Sequence, residues 1–226
     1  MVSESDPTLV SAHLDAASRS RDSYTRKVPG VTVLSALDAL RMSEGGRILV
    51  DVRSTEEVAV SRINGALTQV EFEARYPTAG DIPDGACVAA YCTIGYRSGI
   101  YARDHLLKGP RALPHNRVFN HEGIMLHTFT GEPLVRQKRR RSDGLEAAAS
   151  MITATAKTSS VPNSAGVAAA SNGAPSTASD GDWEATTEVH AYAYPWRGMA
   201  HPAFRVRYFG LRGLLNNVLG DNCAIM

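Results

Sequence analysis

The chain has 226 residues, 43% of them hydrophobic, enough for one core with an appendage. Its formal net charge of +1 gives no overall field to recruit nucleic acid, so only local basic clusters could do so. Three widely spread cysteines make no disulfide framework, and with seven histidines they show no zinc-ligand spacing, so a reducing compartment and no metal are expected.

Residues 1–29 carry Glu4, Asp6, Asp15 and Asp22 among serines and arginines, without an apolar run long enough for a signal peptide or a membrane span. Within them Leu9, Val10, His13, Leu14 and Ala17 recur at helical spacing, and the stretch reads as a leader. From Val31 strands and helices alternate. Val31–Leu34 reads as a short strand, Ser35 caps a helix that Gly45 and Gly46 close, and Ile48–Val52 is a second strand, almost wholly apolar as a doubly covered parallel strand should be. Glu56–Val60 reads as a short helix, Ala66–Val70 as a third strand, Cys87–Tyr91 as the central one and Arg117–Asn120 as the last. Strands separated by helices imply parallel crossovers, hence a three-layer α/β domain over residues 30–135.

The apolar run Val88–Tyr91 breaks into a short loop and resumes at Ser98–Lys108 as a helix with Ile100, Ala102, Leu106 and Leu107 on one side. Cys92 therefore lies at a strand's carboxyl end, the edge where ligands collect in open α/β sheets. The backbone amides of Thr93, Ile94, Gly95 and Tyr96 are expected to cradle an anion there, so the thiol should be accessible and ionise more easily than a free one. Gly95 is available for an unusual backbone angle and Ser98 for a helix cap. Arg97 either holds an anionic substrate or ties the loop to a buried carboxylate, and the two readings are even. Tyr96 offers a ring wall or a hydroxyl. Asp51 and Arg53 end a strand on the same edge, where an ion pair that holds neighbouring loops is the expected role. Cys87, five residues before Cys92 along a strand, is too far away to bond to it and reads as a core residue. His105, His115, His121 and His127 are given no role.

The loop Cys92-Thr93-Ile94-Gly95-Tyr96-Arg97-Ser98 resembles the active-site loop of rhodanese-type sulfurtransferases, in which the cysteine carries sulfur as a persulfide. Related phosphatases and arsenate reductases have a loop one residue longer. The resemblance extends to Leu49-Val50-Asp51-Val52-Arg53 followed by Glu56 and Glu57, similar to the family's strand ending in Asp-Val-Arg. It continues through Ile63-Asn64-Gly65-Ala66, close to the family's Ile-Pro-Gly-Ala, and ends near Glu122-Gly123-Ile124 and Gly131-Glu132-Pro133-Leu134. A departure is Ser61-Arg62-Ile63 where family members commonly have Gly-His-Ile, which removes any role for a histidine at position 62.

After Val135 come Arg136-Gln137-Lys138-Arg139-Arg140-Arg141, five positive charges in six residues, readable as the start of a solvated linker, a nuclear import signal or an anionic membrane contact. Residues 136–187 form a basic and then low-complexity linker of Ala, Ser, Thr, Gly and Asn, with too few large apolar residues to offset the entropy of ordering. Residues 188–226 form a tail. Its aromatic stretch Val189–Gly198 weakly resembles the segment that some single-domain rhodanese-like proteins carry after the core, which implies packing back onto the domain; a partner-binding peptide is the other reading. Phe204–Leu219 alternates apolar residues with Arg205, Arg207 and Arg212. Cys223-Ala224-Ile225-Met226 fits a prenylation signal in which Met specifies farnesyl, and such an anchor needs a second signal from the basic residues.

The resemblance implies a sulfurtransferase in which Cys92 takes sulfane sulfur from a small-molecule donor such as thiosulfate and passes it to a thiol or cyanide-like acceptor, without metal or organic cofactor. A catalytically silent rhodanese-like scaffold is the alternative, and a phosphatase or arsenate reductase, disfavoured by loop length, the weaker one. Retention of a cysteine at position 92 favours the enzyme. A cytoplasmic protein, membrane-associated if Cys223 is farnesylated, is expected, with no nucleic-acid partner; the sequence does not set the oligomeric state.

Overall fold

The computed structural model describes residues 6–42, 46–138, 183–191 and 194–207. The chain divides into two compact units, residues 1–136 together with 185–226, and residues 137–184. Of the second unit, residues 137, 138, 183 and 184 are described. Residues 139–182 of the expected linker lie outside the described residues, as do Arg139, Arg140 and Arg141 of the basic run and the prenylation signal at Cys223.

In the first unit the elements are α1 (Pro7–Thr25), β1 (Thr32–Leu34), α2 (Ala36–Arg41), β2 (Arg47–Asp51), α3 (Thr55–Val60), β3 (Arg62–Ile63), β4 (Leu67–Thr68), α4 (Gln69–Arg75), β5 (Cys87–Tyr91), α5 (Tyr96–Tyr101), β6 (Val118–His121) and α6 (Ile124–His127). β7 (Leu134–Gln137) and β8 (Trp183–Thr186) each reach into the second unit, and β9 (Glu188–His190) and β10 (Arg205–Arg207) follow. Capping chemistry sets several of the helix starts. Asp6 Oδ1 accepts the Thr8 N–H at 2.9 Å ahead of Pro7, and Ser35 Oγ accepts the Asp38 N–H. Ser54 with Glu57, and Thr68 with Glu71, form reciprocal capping boxes.

A five-stranded sheet in the order β1-β6-β5-β2-β4 is parallel throughout. Its register sets Asp51 beside Tyr91, Ala90 beside Asn120 and Leu34 beside His121, so the carboxyl ends of β2, β5, β6 and β1 share one edge. β5 is the central strand, and its alternation splits the core as a two-residue period requires. Ala89 and Tyr91 join Leu49, Ile94, Ile124 and Met125 on one face, while Val88 and Ala90 join Val50, Phe72, Leu106 and Val118 on the other. The expected α/β architecture with a parallel central sheet between helical layers is the one observed.

Several boundaries differ from the sequence reading. The third strand is Leu67–Thr68 rather than 66–70, because Thr68 accepts the Glu71 N–H and Glu71 in turn accepts the Thr68 N–H at 2.7 Å, which starts α4; Val70 is left 78% exposed. The last strand lies one residue further on. The helix expected from Ser98 begins at Tyr96 and widens into a π turn over Ala102–Leu106, closed by the Leu107 N–H on Ala102 O at 2.9 Å. Ser98, Tyr101, Ala102 and Leu106 therefore carry its buried stripe, with Ile100 and Leu107 half-buried.

The N-terminal helix and the described tail both belong to this core. Ala17 of α1 and Val189, Ala191 and Ala200 of the tail are buried in the cluster that contains Tyr91 and Ile94. His13 Nδ1 lies 2.8 Å from Ala200 O, Arg21 pairs with Glu122, and β9 and β10 pair in parallel through Val189 and Val206.

His121 and His127 are buried with ring centroids 5.9 Å apart. Burial, together with His127 and then Arg47, pushes His121 well below the ordinary imidazole range, and burial with Arg47 brings His127 down to about 4. The unfolded chain therefore binds more protons once the pH drops below the free imidazole value, and folding free energy is lost from about pH 6.5 down to the folded value of His127. Denaturant unfolding across that window should show stability falling with pH, by at most about 1.4 kcal/mol per unit for each histidine. A His127→Gln variant should show a shallower slope than the parent.

Candidate active site

Cys92 opens the four-residue loop between β5 and α5, which ends on Gly95 as the helix N-cap. Gly95 has φ +91°, so the turn toward the sulfur uses the backbone freedom that the sequence reading assigned to it. Its amide donates to Cys92 Sγ at 3.2 Å. Ser98, expected to cap the helix, instead sits inside it: Ser98 Oγ lies 3.5 Å from Sγ and donates to Asn120 Oδ1 at 2.7 Å, while Asn120 Nδ2 donates to Gly95 O at 2.8 Å. Asn120 on β6 thus fixes both ends of the turn. From the other side the start of α6 takes the loop's carbonyls, with the Ile124 N–H on Cys92 O at 2.9 Å and the Met125 N–H on Thr93 O at 3.2 Å.

That docking requires Gly123. Its φ is +107°, and a Cβ there would stand 2.5 Å from Thr93 O and 2.8 Å from the Ile94 backbone. A Gly123→Ala change must therefore move main chain on one side or the other. We expect it to lower stability by on the order of 2–4 kcal/mol in denaturant unfolding, beyond the loss for the same change at Gly65, where a Cβ meets open space.

Asp51 and Arg53 are fully buried and lie behind the loop. Arg53 Nε and Nη2 donate to the two oxygens of Asp51 at 2.9 and 2.7 Å, and Nη2 also donates to Ser61 O at 2.6 Å. Tyr91 donates its hydroxyl to Asp51 Oδ2 at 2.6 Å and accepts the Ile63 N–H at 3.1 Å. Burial opposes the guanidinium charge, yet the Asp51 carboxylate more than offsets it and holds Arg53 above its ordinary pKa; burial and Asp51 together raise Tyr91 well above its own. This network ties β2, β3 and β5 together, which is the structural role expected of the pair.

Arg97 meets the buried carboxylate that one of its two readings called for. Its Nη1 and Nη2 donate to Glu57 Oε2 and Oε1 at 2.7 and 2.8 Å. Glu57, 2% exposed, also accepts from Thr93 Oγ1 at 3.2 Å and from the Ser54 N–H at 3.0 Å, and His190 Nδ1 of β9 lies 3.6 Å from its Oε1. Burial would raise the Glu57 pKa; the hydrogen bonds from Arg97 and Ser54, with His190 close by, outweigh it and hold the carboxyl far below the usual range.

Over the loop lies a cavity of about 360 Å³ lined by Cys92, Thr93, Ile94, Tyr96 and Arg97, with Tyr24 of α1 and Trp196 of the tail completing the wall. Cys92, expected to be accessible, is instead 2% exposed, enclosed at the end of the central strand, and is one of the residues that line this cavity. The structure thus brings five of the expected loop residues together. Gly95 and Ser98 shape the loop from beneath, Asp51 and Arg53 do not line the cavity, and Cys87 sits half-buried at the far end of β5. Among the described residues no group of three or more His, Cys, Asp or Glu side chains is placed to hold a metal, and no helix is long and apolar enough to cross a membrane.

Glu57, Asn120, Gly123, Tyr24, Trp196 and His190 were not assigned to the site from sequence. Ser54-x-x-Glu57 was readable as a capping box, but its second use on Arg97 was not. Tyr24 and Trp196 carry no local signal, since each acts through a partner far along the chain.

No family model and no curated protein sequence matches the chain. Among solved structures it is similar to a thiosulfate sulfurtransferase from Pseudomonas aeruginosa, at 17% identity and a TM-score of 0.37, over 63% of this chain and 28% of that one. The chain therefore matches little more than a quarter of that protein's length.

Proposed function

We propose that this chain is a rhodanese-type sulfurtransferase, moving sulfane sulfur from a small-molecule donor to a thiophilic acceptor through a persulfide on Cys92. The observation that carries this reading is the placement of Cys92, which lines a cavity at the carboxyl edge of a parallel sheet with its Sγ 3.2 Å from the Gly95 amide. A main-chain donor aimed at sulfur can hydrogen-bond the persulfide anion as it does the cysteine sulfur, without reorganisation between the two half-reactions. In the first, the Cys92 thiolate attacks the outer sulfur of the donor; an S–S bond forms and the donor's bond to that sulfur breaks, its electron pair leaving with the donor residue. In the second, the acceptor attacks the outer sulfur and Cys92 leaves as thiolate. No electron is supplied from outside, and the chemistry calls for neither metal nor organic cofactor.

Four residues separate Cys92 from Arg97, which supports sulfur transfer over phosphoryl or arsenate chemistry, where the related loops are a residue longer. One observation favours a silent scaffold as the second reading: Cys92 is almost wholly buried, and the guanidinium beside it is already engaged by Glu57. The cavity over the sulfur argues the other way.

Intact mass of the chain after incubation with thiosulfate or a thiosulfonate should show a gain of one sulfur atom, about 32 Da, removed by cyanide with formation of thiocyanate. Cys92→Ala should show neither. An unmodified parent chain with every donor tried would leave the scaffold reading in its place.

A further inference from the structure

Three segments distant in sequence build the cavity over Cys92: the cysteine loop, the end of α1 and the tail turn Tyr194–Met199. The Tyr24 ring packs against Tyr96 at 5.6 Å and stands edge-on to Trp196 at 5.9 Å and 89°, so three aromatic side chains meet at its wall. Both outside segments are fixed to the core, α1 by buried Ala17 and the Arg21–Glu122 pair, the tail by Val189, Ala191 and Ala200 and by the His201 N–H on Thr128 Oγ1 at 2.8 Å. The aromatic wall is therefore part of the folded unit.

Arg97 and Thr93, two polar side chains of the cavity, are engaged within the protein. Arg97 is its one charged lining residue, and both Nη atoms go to Glu57; Thr93 Oγ1 accepts from Arg97 and donates to Glu57. The nearby ammonium of Lys27 sits over the outer ring, 4.6 Å from the Tyr24 centroid. A small dianion such as thiosulfate would have to shed its water against a guanidinium already neutralised by a carboxylate, a poor exchange. It would also leave most of a 360 Å³ cavity unfilled, whereas a flat ring carrying a sulfonyl group comes nearer to that volume and gains from aromatic walls.

We propose, resting on the sulfurtransferase reading above, that the donor carries its sulfane sulfur on an aromatic leaving group, as in an aryl thiosulfonate, and that Tyr24 and Trp196 select it. The reaction balances as Cys92-S⁻ with Ar-SO₂-S⁻ giving Cys92-S-S⁻ and the sulfinate Ar-SO₂⁻: the Sγ–S bond forms, the S–SO₂ bond breaks, and the electron pair departs on the sulfinate. Cyanide then takes the outer sulfur as thiocyanate and returns the thiolate.

The test uses the full chain with cyanide as acceptor and compares benzenethiosulfonate with methanethiosulfonate, which share the reacting head and differ in the ring. The parent should prefer the aryl donor in kcat/KM by about tenfold or more, and Trp196→Ala and Tyr24→Ala should each lower that ratio several-fold. Equal use of both donors by the parent, or a ratio unmoved in the variants, overturns the inference while leaving sulfur transfer intact. Titration with benzenesulfonate, which cannot transfer sulfur, gives a readout independent of turnover: binding to the parent and its loss in Trp196→Ala support the aromatic site, and equal binding to both overturns it. If neither donor adds sulfur to Cys92, the sulfurtransferase reading fails, and the donor assignment falls with it; the titration then reports only on an aromatic anion site.

Discussion

One buried carboxylate joins the parts of the site. Glu57 takes both Nη atoms of Arg97, the Thr93 hydroxyl and the amide that begins its own helix, and it faces His190 on the tail strand. A helix start, the cysteine loop, the helix after it and the tail are thereby held around a single pair of oxygens. Breaking a buried pair of this kind by removing one partner typically costs about 3–5 kcal/mol, a large part of the stability of an ordinary domain. The arrangement also sets the local field, since the guanidinium beside the sulfur is matched by a negative charge and what remains to act on a ligand is short-range.

The second constraint is the parallel register. Because β2, β5 and β6 end together, the carboxyl edge gathers Asp51 with its Arg53 partner, Tyr91 and Cys92, and Asn120, each from a different strand. Asp51, Arg53 and Tyr91 lock the edge from behind, and Asn120 clamps the turn from the side. The sulfur then needs little beyond one amide to complete its surroundings.

Much of this was legible in the residues. The central strand, the break at Cys92, the positive φ of Gly95 and the structural role of Asp51 and Arg53 follow from local pattern, because each is decided within a few positions of the chain. Thr68-x-x-Glu71 was equally local, and reading it as a capping box would have ended the third strand in the right place. Ser98 was misplaced because a glycine in the left-handed region can begin a helix as well as a serine can, and here Gly95 does so three residues earlier. Arg97 could not be resolved, since its partner lies forty residues away. Tyr24 and Trp196 were further out of reach: they meet across most of the chain, in segments that read as leader and tail.

Cys92 is attached to the strand most thoroughly enclosed by the sheet, with Ala89, Ala90 and Tyr91 wholly inaccessible just before it. Amides on such a strand exchange only when much of the domain opens, so backbone fraying is a rare and slow route to this sulfur. Rotation of exposed side chains is faster by orders of magnitude, and Tyr96 at the cavity wall is 38% exposed. Any route to this sulfur through the proposed site would thus open at the rings around it, the loop that bears it being the part held in place.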